Sequence, residues 1–384
     1  MRYVHILFSS LHGHGHLYPM LPLAVAAREA GHQVTVATGE GFHPVLSELG
    51  LDVVAAGVGI HDAFRSMPAT EHGRENLSGE ELYLVAAKVF GQALPRSFVG
   101  DLMPLIGSLR PALVVHESGN PGAGLAARAA GVPGVCHGFG RVAVGLQEHI
   151  GPEIRAFAAE LDIELPSRNV IGLGDPYLDI CPESLQDKDF IAVADRLALR
   201  PVAFADSGEL PEFVRHRDRP LVYLTLGTAF GSTDVLRQAV EGLATLDADV
   251  LVATGPSVPE GELGGVPGNV TVLPWVPQAR LLPHTDLVVH HGGSGTTLAT
   301  FAAGVPQLLL PQGADQFGNA EMVAGSGAGA SLLPADFGAE AVAAQAKRLL
   351  GDGLHRRAAG AVAEEIAAMP SPDEFARRLP EFAG

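Results

Sequence analysis

Residues 275–320 read WVPQARLLPHTDLVVHHGGSGTTLATFAAGVPQLLLPQGADQFGNA, and the fold is decided by how this stretch is parsed. Asp286–His290 is a short apolar run between turn signals, as expected of a buried parallel strand. His291–Thr297 is a glycine-rich turn that carries hydroxyls, and Leu298–Ala303 reads as helix stopped by Gly304. Strand, glycine turn and helix in this order aim free backbone N–H groups at an anion, and the glycines allow it a close approach. No Lys or Arg occurs between Arg280 and Lys347. A phosphate held here is therefore held by amides, hydroxyls and His291. That suits a diphosphate that departs as a product, whereas the lysine-bearing GxxxxGK[ST] loop is absent. An ordinary tight strand-to-helix turn is the plain alternative.

The flanks add chemistry. Trp275, the only Trp of the chain, sits at a strand end before Val276, Pro277 and Gln278. Asp315-Gln316 opens the helix after the next strand, Gln307–Leu310. Neighbouring strands thus bring an aromatic plate, a phosphate cradle and a carboxylate–amide pair to the C-terminal edge of one sheet, where open α/β sheets bind ligands. Base, diphosphate and sugar in that order describe a nucleotide-sugar.

Outside this stretch, the 384 residues suffice for two domains, and 47% hydrophobic residues supply a large core. A formal charge of −18 argues against nucleic acid or an anionic membrane as partner. Cys136 and Cys181 form no CxxC, so reduced thiols in the cytoplasm are expected. No signal-peptide core or membrane-length apolar run is evident.

Taken in order, Tyr3–Ser9, Val34–Ala37 and Val53–Ala55 read as strands alternating with helices Leu21–Ala30 and Phe42–Leu49, a βαβαβ opening. Residues 57–79 lack periodicity and predict a long loop. Residues 80–109 are helical, interrupted near Gly91 and Pro95. Strand Leu113–Val115 ends in His116-Glu117, and helix Gly122–Ala130 and strand Val135–His137 follow. After a helix near Gln147–Leu161 the sequence is mixed to about Pro220. The alternation then restarts with strand Leu221–Leu226, ended by Gly227-Thr228. Two similar α/β units predict ligand in a cleft between them. The expected division is 1–205 and 220–368 with a linker at 206–219, and residues 369–384 as a last helix.

His12, His14 and His16 alternate with glycines. Such spacing can serve a metal, but no HExxH follows and no carboxylate is near in sequence. His16, just before a helix at the C-terminal edge of the first strand, fits a general base better. An imidazole with an ordinary pKa near ~6.5 can take a hydroxyl proton as that oxygen attacks an anomeric carbon. It needs an orienting partner, and Glu117 leaves its strand at the same edge. A solvated loop carboxylate is the alternative for Glu117. Asp247-Ala248-Asp249 matches a DxD metal–diphosphate pattern but precedes its strand, at the wrong edge. GxSxG and GxGxxG are absent, which disfavours hydrolase and dehydrogenase chemistry.

At these residues the chain resembles inverting, metal-independent nucleotide-sugar glycosyltransferases of antibiotic biosynthesis, closest to those of the enediyne calicheamicin. The segments that carry the likeness are HGHLYPMLPLAVAAREAGHQVTVATGEGF, LVYLTLGT, ADVLVATGPS and WVPQARLLPHTDLVVHHGGSGTT. The resemblance implies a GT-B fold of class α/β: two facing Rossmann-like domains, with the C-terminal helix crossing back to the first. It implies His16 as catalytic base and Glu117 as its orienting carboxylate, where most relatives carry Asp. It implies donor contacts at Thr228, Trp275, Val276, Gln278, His291, Gly293, Ser294, Gly295, Thr296, Asp315 and Gln316. Many relatives have Trp where this chain has Gln312. Candidate acceptor-lining residues are Phe64, Met67, Phe90 and Phe139, with plain core packing as the alternative.

The expected activity moves a deoxysugar from a dTDP-sugar to a hydroxyl of a hydrophobic aglycone, enediyne or polyketide, with no metal or other cofactor. The partners are that donor and a small-molecule aglycone, with neither nucleic acid nor membrane span, and a homodimer is admitted. The rival is a silent nucleotide-sugar-binding partner of another enzyme, or an epimerase on the same fold. The presence of both His16 and Glu117 argues against silence.

Overall fold

The computed structural model describes residues 3–67, 79–168, 170–204, 208–227, 232–255, 258 and 261–384. The chain divides into two compact units, residues 1–200 with 370–384, and residues 201–369.

The first unit is built on a seven-stranded sheet: β1 His5–Ser9, β2 Gln33–Thr38, β3 Asp52–Ala55, β4 Leu113–Glu117, β5 Gly134–His137, β6 Tyr177–Asp179 and β7 Arg196–Ala198. Its order is β3-β2-β1-β4-β5-β6-β7, with every pairing parallel. The chain winds outward from β1 in one direction and from β4 in the other, so the reversal lies between β1 and β4. β4 is longer than its apolar run suggested. It takes in His116 and Glu117, both fully buried. The mixed sequence before residue 220 hides two further strands, β6 and β7.

The expected loop at 57–79 contains a helix, Ile60–Ser66, whose Ala63 is buried; residues 68–78 lie outside the described residues. The helical stretch 80–109 is continuous through one π-helical turn at Val89–Ala93. That turn holds Gly91, where a side chain would strike Glu153 Cβ at 2.4 Å. The C-terminal segment is a five-residue helix, Pro372–Ala376, followed by a 3-10 turn at Leu379–Glu381. Ser371 and Glu374 form a capping box, and the helix packs on helix Leu21–Glu29 of the same unit, with Phe375 and Leu379 fully buried.

The second unit repeats the plan with β8 Leu221–Thr225, β9 Asp249–Ala253, β10 Val270–Leu273, β11 Leu287–His290, β12 Gln307–Leu309 and β13 Gly329–Ser331. The order is β10-β9-β8-β11-β12-β13, again all parallel. The reversal falls between β8 and β11. The apolar runs of β8 and β11 are buried on both faces, which is why they read as unbroken hydrophobic stretches. Among the described residues no helix is long and apolar enough to cross a membrane. Cys136 and Cys181 are buried and are not joined in a disulfide.

Candidate active site

In the first unit the chemistry-bearing residues gather at the C-terminal ends of β1 and β4, where the winding reverses, the usual ligand position in such sheets. In the second unit they follow β10, β11 and β12 at the same sheet edge. β10 is separated from β11 by β9 and β8, so Trp275 does not come from the strand adjacent to the glycine turn that the sequence suggested.

In the first unit the loop after β1 forms a short helical turn, His14–Leu17, before the 3-10 turn that holds Pro19. Consecutive residues of a helix are about 100° apart, so His14 and His16 point to nearly opposite sides. The three imidazoles have three different fates. His12 Nε2 is 2.8 Å from Ala56 O, and its ring meets Phe98 edge-on. His14 packs edge-on against Tyr18 and Phe42 with centroids 5.0 Å away in each case. His16 turns to Glu117, with Nδ1 and Oε2 3.1 Å apart, an ion-pair distance bent away from a linear hydrogen bond.

The His16 side chain is 21% exposed and that of Glu117 fully buried. Glu117 Oε1 accepts the N–H of Gly119. A Cβ on Gly119 would lie 2.7 Å from that oxygen and 3.2 Å from His16 Cε1, so only glycine leaves the pair room. A carboxylate at Nδ1 favours the tautomer with its proton there, which leaves Nε2 as the basic atom.

Phe139 lies beside His16, ring centroids 5.0 Å apart. Phe64, Met67 and Phe90 are half-buried and pack together on the core of this unit, Phe64 edge-on to Phe90 at 6.1 Å. His137, missed in the sequence, pairs in register with Glu117 on the neighbouring strand. It is fully buried, and burial pushes its pKa down to about 4. Its Nδ1 lies 2.6 Å from Gly138 O. A polar residue ending the apolar run of β5 was the available signal.

In the second unit His291 follows β11 directly. Its ring is held between Gly227 and Gly293, where added Cβ atoms would come within 2.4 Å of Cε1 and 2.5 Å of Nε2. Gly227 (φ +74°) and Gly292 (φ +94°) are left-handed, conformations that disfavour other residues. Burial lowers the His291 pKa to about 4, against an opposing pull from Asp315, so the ring is neutral near pH 7. His290 braces the turn from beneath. Its Nε2 lies 2.9 Å from Gln307 Oε1, and its Nδ1 accepts the Gly292 N–H at 3.1 Å. Gly293 is the N-cap of helix Ser294–Ala302. Ser294, Gly295 and Thr296 therefore lie in its first turn, where backbone N–H groups lack intrahelical partners and the dipole is positive.

Trp275 stands two residues beyond β10 and is 45% exposed, so it is not a core residue. Val276 is buried in the apolar cluster beneath, and Gln278 Oε1 accepts from Thr296 Oγ1 at 3.5 Å. Asp315 precedes helix Gln316–Ser326, next to Ala314 with its left-handed φ of 52°. Its Oδ2 accepts the Ser294 hydroxyl at 2.7 Å. Gln316 is buried, with Oε1 accepting the N–H groups of Gln312 at 2.7 Å and Gly313 at 3.1 Å. Its amide oxygen thus braces the loop. Thr228 lies outside the described residues. Asp249 of the DxD pattern opens β9 at the opposite end and pairs with Arg219.

This arrangement can hold a dinegative group on amides without a cation, and it can take a proton at His16 Nε2. The likeness to known proteins covers both units. Residues 25–227 match the N-terminal domain, and residues 237–382 the C-terminal domain, of the family described as erythromycin biosynthesis protein CIII-like. L-demethylnoviosyl transferase of Streptomyces niveus is 33% identical over 97% of this chain and 97% of its own. The solved glycosyltransferase VinC, in complex with dTDP, is similar at 25% identity with a TM-score of 0.81, over 98% of this chain and 100% of that one. The calicheamicin glycosyltransferase CalG4 shares the fold, with a TM-score of 0.83 at 22% identity over 100% of this chain and 98% of that one. The chain belongs to the EryCIII-like family and is a glycosyltransferase of GT-B fold.

Proposed function

We propose that this enzyme transfers a deoxysugar from a dTDP-sugar to a hydroxyl of a hydrophobic natural-product aglycone, with inversion and without a metal. Residues 201–369 take the donor: Trp275 stacks the base, and the turn His291–Thr296, with Thr228, takes the diphosphate. Asp315 and Gln316 face the sugar. Residues 1–200 take the acceptor, with Phe64, Met67, Phe90 and Phe139 as its apolar contacts. His16, oriented by Glu117, removes the acceptor proton as its oxygen attacks the anomeric carbon from the face opposite the leaving group. The negative charge that grows on the departing diphosphate meets fixed N–H donors and the helix dipole.

The observation that carries this reading is the His16–Glu117 pair, a partly exposed base on a buried carboxylate at a sheet's switch point. The dTDP bound to VinC and the sugar named for the Streptomyces niveus relative support the donor class. The test is a thermal-shift panel of nucleoside diphosphates. A ligand at 100 times its Kd adds about 2.7 kcal/mol of stability. Thymidine diphosphate should raise Tm more than uridine, guanosine or adenosine diphosphate; no shift with any of the four rejects the donor site.

A further inference from the structure

Asn319 drew no attention in the sequence, yet it joins three parts of the proposed donor site. It lies on helix Gln316–Ser326 and is 2% exposed. Its Nδ2 is 2.8 Å from Gly292 O, 3.0 Å from Ser294 Oγ and 3.1 Å from Asp315 Oδ2. A carboxamide nitrogen has two protons for these three oxygens. Ser294 relieves the competition, because its hydroxyl donates to the same Asp315 oxygen at 2.7 Å and can accept from Asn319 on its lone pair.

Two consequences follow. In a planar trans peptide the C=O and the next N–H point in opposite directions. Asn319, by holding the Gly292 carbonyl, therefore sets the direction of the Gly293 N–H, on the opposite side of that peptide plane. Asp315 Oδ2 is occupied by two protein donors, which leaves Oδ1 as the oxygen with no protein donor among the described residues.

We propose that Asn319 is a positioning residue that locks the diphosphate-binding turn and the sugar-facing carboxylate into one unit. The proposal rests on the donor-site reading above and assigns Asn319 no contact with substrate. It predicts a split between the two halves of the nucleotide. The phosphates rest on the turn that Asn319 holds, whereas thymidine rests on Trp275, at the exit of another strand.

The experiment is calorimetric titration of the full chain with dTDP and with thymidine. In Asn319→Leu, dTDP affinity should fall about tenfold while thymidine affinity stays within about twofold. Asn319→Asp has the same shape and is the second variant should the leucine form not fold. It sets a carboxylate against three acceptor oxygens, and its dTDP loss should exceed tenfold, again with thymidine spared. Unchanged dTDP affinity in a folded variant, or equal losses for both ligands, overturns the proposal. Wild-type protein that binds neither ligand overturns the donor-site reading itself, and this proposal with it.

Discussion

His16 Nδ1 and Glu117 Oε2 lie 3.1 Å apart although the residues are 101 positions apart in sequence, because β1 and β4 are parallel neighbours that end at one edge. The carboxylate is fully buried, so its hold on the imidazole is shielded from competing water. Glu117→Gln keeps the shape but can present an N–H to Nδ1, favouring the wrong tautomer. Turnover should fall roughly 10²- to 10⁴-fold. Calorimetry should find dTDP affinity unchanged, since Glu117 is assigned no part in donor binding.

Trp275 is 45% exposed, so its loss costs less packing than that of a fully buried indole. Base–aromatic stacking contributes about 1–3 kcal/mol. Trp275→Ala should therefore weaken dTDP by about 5- to 150-fold, with a smaller loss of Tm than a core aromatic would show. A Tm loss of several degrees with unchanged affinity would assign the indole to the fold.

Gly227 should accept no side chain. Its φ of +74° makes alanine cost about 1–2 kcal/mol. The new methyl would also meet His291 Cε1 at 2.4 Å and push the imidazole aside. Gly227→Ala should weaken dTDP binding as well as lower Tm, and calorimetry at a temperature where the variant is folded separates the two effects.

Acid should destabilise the fold. Burial lowers the pKa of His137 to about 4, of His290 to about 3 and of His291 to about 4. In the unfolded chain each imidazole takes its proton near ~6.5. Between that pH and about 4 the unfolded state binds more protons, about three from these residues near pH 5, so stability drops as pH falls through the window. Above ~6.5 their contribution is constant. Scanning calorimetry from pH 7 to 4.5 should show a falling Tm; a flat Tm contradicts neutral buried rings.

Much of this was legible in the sequence wherever local pattern and tertiary role coincide. β8 and β11 announce themselves as apolar runs because both faces are covered. The turn at His291–Thr296 is readable because glycine is required at Gly292 by positive φ and at Gly293 by close approach to His291. β6, β7 and β13 are three residues each, too short for a periodicity. Helix Ile60–Ser66 buries only Ala63 and so shows little apolar stripe. The turn His14–Leu17 is masked by Gly13 and Gly15, which are poor helix formers. Asn319 could not be read at all, since two of its partners, Gly292 and Ser294, come from the exit of another strand and only the folded sheet brings them to it.

The most direct test compares His16→Ala with wild type in transfer from a dTDP-deoxysugar to a panel of phenolic and macrolide aglycones, with products followed by mass spectrometry and dTDP affinity by calorimetry. Turnover should drop roughly 10²- to 10⁴-fold with dTDP affinity within about twofold, and EDTA should leave the wild-type rate unchanged. Undiminished transfer by His16→Ala would contradict the account.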